Sequence, residues 1–117
     1  VLPPTWCPTH EDTPGPAAPA LVDGQVVFRA TGDPAEVARG RLTLRVIREQ
    51  LAAVVAHRSA DDPNLHLVHG PALYGAADAE LRPLPDGLHP DAQTHLDMGR
   101  RFAELVFAPR GPFGRGR

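Results

Sequence analysis

The residues best suited to chemistry lie in one short stretch, Pro85-Asp86-Gly87-Leu88-His89-Pro90-Asp91. A carboxylate three residues before a histidine, on a turn tightened by Gly87 and Pro90, can accept a hydrogen bond from one imidazole nitrogen. The other nitrogen is then free to act as a base toward a hydroxyl. In a serine hydrolase such a carboxylate fixes the tautomer and stabilises the imidazolium that forms during acyl transfer. The same spacing also occurs in solvated turns that do no chemistry, so spacing alone leaves both readings open.

Other candidates are weaker. His10, His66, His69, His89 and His95, with Glu11 and Asp12, are the side chains a metal ion would use. On a strand His66 and His69 point to opposite faces and cannot share an ion without a bulge. Trp6 and Cys7 follow a strand end, where α/β folds place ligands, so Trp6 is a candidate substrate contact. Packing beneath the proline-rich loop explains Trp6 equally well. Nothing beside Cys7 in sequence lowers its pKa except the more distant His10. The sole serine, Ser59, sits in an Ala/Asp/Pro turn with no Gly-Asp before it.

Positioning elements are readable in part. Prolines at 3, 4, 8, 14, 16, 19 and 34 forbid long helices before Gly40. Within that stretch Val1-Leu2 reads as a strand end and Gln25 to Arg29 as a short strand or extended turn. Leu44, Ile47, Leu51, Val54 and Val55 recur at helical spacing, predicting an amphipathic helix over 41–57. Asp33-Pro34 with Glu36 is an N-terminal capping pattern, so helical structure is expected to begin earlier and break near Gly40. Asn64 to Gly70 reads as a short strand. Asp91 can cap a last helix reaching about Phe107, with Ala92, Leu96, Gly99, Phe102, Ala103 and Val106 on one face. The Gly, Pro and Arg of 109–117 predict a disordered tail.

The 117 residues fit one domain at most, and a net charge of -2 gives no electrostatic reason to expect nucleic acid. All twelve cationic side chains are arginine, as a GC-rich coding genome would give. One cysteine allows no internal disulfide, and no apolar run reaches the ~18 residues that would suggest a membrane span. Neither observation fixes a compartment. The start at Val1 is expected of a fragment or of a non-standard start codon.

Asp86-Gly87-Leu88-His89-Pro90-Asp91 leading into a C-terminal helix resembles the last block of the SGNH (GDSL-type) hydrolases, Asp-x-x-His-Pro. Leu2-Pro3-Pro4-Thr5-Trp6-Cys7-Pro8 and His10-Glu11-Asp12-Thr13-Pro14-Gly15-Pro16 are similar to the strand end and substrate-side loop of bacterial GDSL-type lipases and acylhydrolases. Gly32 to Glu36, the helix from Arg41 and Asp61 to Leu65 extend the similarity, which covers the chain to Phe107. The resemblance implies that His89 is general base and then general acid, oriented by Asp86, in an ester hydrolase that needs no metal or organic cofactor. It also implies that 1–108 is the C-terminal part of a flavodoxin-like αβα sandwich with a parallel sheet. The family's Gly-Asp-Ser nucleophile block and its glycine and asparagine oxyanion blocks are absent, so this chain alone is expected to be inactive and to need an N-terminal half. A small-molecule or lipid ester is the expected substrate. A non-catalytic binding module on the same fold is the alternative, and a metal-binding domain a weaker one.

Overall fold

Asp23-Gly24 lies between two runs able to extend, and both residues adopt positive φ, 49° and 79°. That conformation suits a two-residue hairpin, because its twist matches that of the flanking strands. Strands β1 (Ala17–Val22) and β2 (Gln25–Ala30) accordingly pair antiparallel, with Leu21 opposite Val26 and Pro19 opposite Phe28. The computed structural model describes residues 1–115, and the described residues form a mixed α/β arrangement of this two-stranded sheet and several helices. No helix among them is long and apolar enough to cross a membrane.

The expected early helical segment forms a separate 3-10 helix, Pro34–Arg39. Asp33 caps it through Ala35 N, and Gly40 ends it at a φ of 96°. Helix α1 (Leu44–Arg58) follows, capped by Thr43, whose hydroxyl accepts from Val46 N. Its first amides also end on loop carbonyls, Leu44 N on His10 O and Arg45 N on Glu11 O. The region expected to be loop after Gly70 holds two short helices, α2 (Gly70–Leu73) and α3 (Ala76–Leu81). Helix α4 (Ala92–Val106) begins at the expected cap, with Asp91 accepting from Thr94 N.

The apolar face read on α4, which needs a sheet for cover, is largely outward: Leu96 is 64% exposed, and Ala92, Gly99 and Ala103 are exposed. The helix instead turns Thr94, Asp97 and Arg101 toward α2 and α3, because Arg101 binds the Asp78 carboxylate and Leu73 O. Asn64 to Gly70 is not a regular strand. Val1 N donates to His66 O at 2.6 Å and Val68 N to Val1 O at 2.9 Å, two bonds running in the sense of a parallel ladder without extending into a sheet. In the segment expected to be disordered, Phe113 N bonds Val106 O and its ring meets Phe107 at 5.9 Å, while 116–117 lie outside the described residues.

Burial is shallow. Leu73, Tyr74 and Val106 form its deepest part, with Cys7 and Val55. The slab measures 54 × 37 × 17 Å with a radius of gyration of 16.4 Å. A compact domain of about 100 residues has a radius near 13 Å. The α1 face buries Val55, keeps Leu44, Ile47 and Leu51 half-buried and leaves Val54 exposed, so its apolar stripe is only partly covered.

The tightest link between layers is ionic. Glu11 and Arg48, 3% and 8% exposed, pair through both guanidinium nitrogens. Glu11 also accepts from Cys7 N, and Arg48 reaches Pro4 O and Thr5 O. Arg48→Ala is expected to destabilise the chain by about 3–5 kcal/mol, because it strands a buried carboxylate. Arg48→Met with Glu11→Leu should recover most of that loss in urea unfolding. A single-variant loss no larger than that of an exposed ion pair would contradict the assignment.

Candidate active site

Asp86 and His89 sit on a turn between α3 and α4 whose backbone is fixed before its side chains are considered. Gly87 adopts a φ of 79°, and a Cβ there would lie 2.7 Å from Phe28 O, so both conformation and space require glycine. Its carbonyl accepts from the Cys7 thiol at 3.3 Å, and Asp86 O accepts from Phe28 N at 2.6 Å. The turn is therefore pinned from the proline-rich loop on one side and from β2 on the other.

Within the turn Asp86 Oδ1 accepts from Leu88 N at 2.9 Å and from His89 N at 2.7 Å. Oδ2 meets His89 Nδ1 at 2.6 Å. The His89 amide, its ring nitrogen and the Leu88 amide together lower the Asp86 carboxyl to about 2. A carboxylate ionised at neutral pH only accepts, so Nδ1 must carry the proton, and a neutral imidazole then has its lone pair on Nε2. The His89 side chain is 67% exposed, which leaves Nε2 open to a hydroxyl brought from elsewhere. This is the geometry of an oriented general base.

The neighbourhood adds a second layer. Cys7 is buried, and burial raises its thiol pKa, which keeps the proton that the Gly87 carbonyl receives. That environment makes it a structural donor and a poor nucleophile. His10 Nδ1 lies 2.8 Å from Thr9 Oγ1 and 3.4 Å from Cys7 Sγ, and burial lowers the His10 pKa. Its Nε2 is enclosed without a partner among the described residues.

Other candidates fall elsewhere. Trp6 lies beneath the Arg48 guanidinium, 5.7 Å from ring centroid to cation, in a cleft with Arg45, Glu49, His69 and Pro71. Asp86 and His89 do not line that cleft, so the packing reading of Trp6 is the one its surroundings favour. Ser59 caps the C-terminus of α1 and donates to Ala56 O. The N-terminus of α1 rests on the His10 loop, so Ser59 lies about 20 Å along the helix from that loop, whose Cys7 holds the Asp86–His89 turn. Among the described residues no group of three His, Cys, Asp or Glu side chains could hold a metal ion. The roles of Cys7 and Phe28 in holding the turn were not legible, since both act across long sequence separations.

No protein-family model, curated protein or solved structure matches this chain.

The lowered Asp86 pKa has a signed consequence. Its contribution to stability is complete above the unfolded value near 3.9 and is lost as pH falls toward about 2. Asp78 and Asp91 are lowered too, Asp78 by the Arg101 pair and Asp91 by capping Thr94, so a difference measurement isolates Asp86. The wild-type urea midpoint is expected to fall further than that of Asp86→Asn between about pH 5 and about pH 2.5. Equal falls would contradict the capped, ionised carboxylate.

Proposed function

We propose that this chain is the C-terminal half of a serine ester hydrolase of the SGNH type, supplying Asp86 and His89 to an active site whose nucleophile belongs to an N-terminal half. The observation that carries the reading is the 2.6 Å contact between His89 Nδ1 and Oδ2 of an Asp86 carboxylate whose Oδ1 already accepts two backbone amides. A solvated turn needs only the amide caps. The ring contact adds an imidazole with defined orientation and tautomer, which acyl transfer requires.

The finer architecture belongs to the same proposal. In a three-layer αβα sandwich, Val1-Leu2 and Leu65 to Val68 are ends of neighbouring parallel strands, and α1 and α4 cover the sheet. The two parallel-sense hydrogen bonds at Val1, the partly covered stripe of α1 and the outward Leu96 support this reading. Each is a surface or edge that an added sheet would complete.

In the joined protein, a serine hydroxyl attacks the carbonyl carbon of an ester as His89 Nε2 takes its proton. Asp86 stabilises the imidazolium, which returns the proton to the departing alcohol. Water then attacks the acyl-serine with His89 again as base, releasing the acid and free serine. Stabilisation of the oxyanion falls to donors on the N-terminal half, and removing one such donor typically costs about 10²–10³-fold in rate. The substrate is a small-molecule or lipid ester. The absence of Gly-Asp-Ser from these residues also favours a second reading, a binding module that retains the pair without turnover.

The test is hydrolysis of p-nitrophenyl acetate by this chain joined to an N-terminal half containing Gly-Asp-Ser. His89→Ala should abolish turnover above background, and Asp86→Asn should lower kcat by about 10⁴-fold. Turnover that survives His89→Ala refutes the assignment, and ester binding without turnover selects the binding module.

A further inference from the structure

The β1–β2 hairpin reaches the Asp86–His89 turn through one residue, Phe28, and does so three times. The Phe28 N–H donates to Asp86 O at 2.6 Å. The Phe28 carbonyl occupies the space a side chain on residue 87 would need. The Phe28 ring stands edge-on to the His89 imidazole, with centroids 6.1 Å apart and planes at 87°. Across the ladder Phe28 faces Pro19 at a non-hydrogen-bonded position, where N–H and C=O point away from the partner strand, so the Phe28 amide turns outward to the Asp86–His89 turn.

An imidazole 67% exposed would ordinarily sample several rotamers. Asp86 restrains it through a single ring nitrogen, and rotation about that hydrogen bond remains open. A T-shaped aromatic neighbour closes that freedom, since the ring edge has a preferred approach. We propose that Phe28 is a positioning residue for His89: its backbone sets the Asp86 turn, and its ring holds the imidazole in the plane that keeps Nδ1 on the carboxylate and Nε2 toward the reacting hydroxyl. The catalytic consequence rests on the hydrolase reading, whereas the orientation itself does not. Phe28 touches neither ester nor serine in this scheme.

The test separates the two. In the 117-residue chain, proton NMR follows the hydrogen-bonded His89 Nδ1–H, assigned by its loss in His89→Gln. Phe28→Leu keeps the backbone bond and apolar bulk, and so preserves the fold better than Phe28→Ala. Both variants should exchange that proton with water about three- to ten-fold faster, the scale of an aromatic pair, while Phe28→Tyr restores the wild-type rate. Helical circular dichroism should be unchanged in Phe28→Leu. Exchange that is unaltered in Phe28→Leu, or equally fast in Phe28→Tyr, overturns the proposal.

In the joined hydrolase, Phe28→Leu should lower kcat by about ten-fold, less than the ~10²-fold of a 1 Å misplacement, with KM held. A raised KM at constant kcat would make Phe28 a substrate contact and overturn the positioning role. Failure of the unsubstituted joined protein to hydrolyse esters would refute the hydrolase reading, and the exchange rates would still decide the matter of Phe28.

Discussion

The buried Glu11–Arg48 pair is the constraint from which the rest of the arrangement follows. Two charges removed from water offset their desolvation only when the remaining donors and acceptors are also occupied. Here Arg48 reaches the carbonyls of Pro4 and Thr5, and Glu11 takes the Cys7 amide. The proline-rich loop is thereby clamped to α1, whose first two amides end on His10 O and Glu11 O. With Cys7 fixed, its thiol meets the Gly87 carbonyl, and the turn bearing Asp86 and His89 takes its place. A line of specific contacts runs from the buried ion pair through Cys7 to the exposed imidazole of His89.

That line explains which features were legible in sequence. The caps are local: Asp33 before Pro34, Asp91 before Ala92, and Asp86 over Leu88 and His89 all act within three residues, so residue type and spacing suffice. The helix at α1 was legible because its apolar period is long. Strand β1 was hidden by Pro19 and its alanines, which lower strand propensity, although Asp23-Gly24 was the signal for the hairpin. Helices α2 and α3 are too short for periodicity to show.

The outward turn of Leu96 has a different cause. Apolar periodicity tells which face of a helix seeks cover, and it cannot tell whether cover is within reach. Arg101 finds Asp78 and Leu73 O nearby, so α4 satisfies a guanidinium with the groups at hand and leaves its apolar arc outward. The α1 stripe is better served, with Val55 buried and Leu44, Ile47 and Leu51 half-buried. Asn64 to Gly70 shows a related limit: its sequence reads as a strand, yet the inter-segment backbone bonds it makes among the described residues are the two with Val1.

The contacts that hold the candidate site come from several separated parts of the chain. Everything that fixes the base is held within these residues: the carboxylate, its two amide donors, the glycine that permits the turn, the thiol beneath it and the phenylalanine beside it. Everything that would receive the substrate's developing charge is not. An oriented imidazole contributes proton transfer, a factor of about 10²–10⁴, whereas electrostatic stabilisation of the oxyanion is usually the larger share of catalysis. Orientation of this kind accelerates a reaction only when the reacting hydroxyl is held as rigidly as the base.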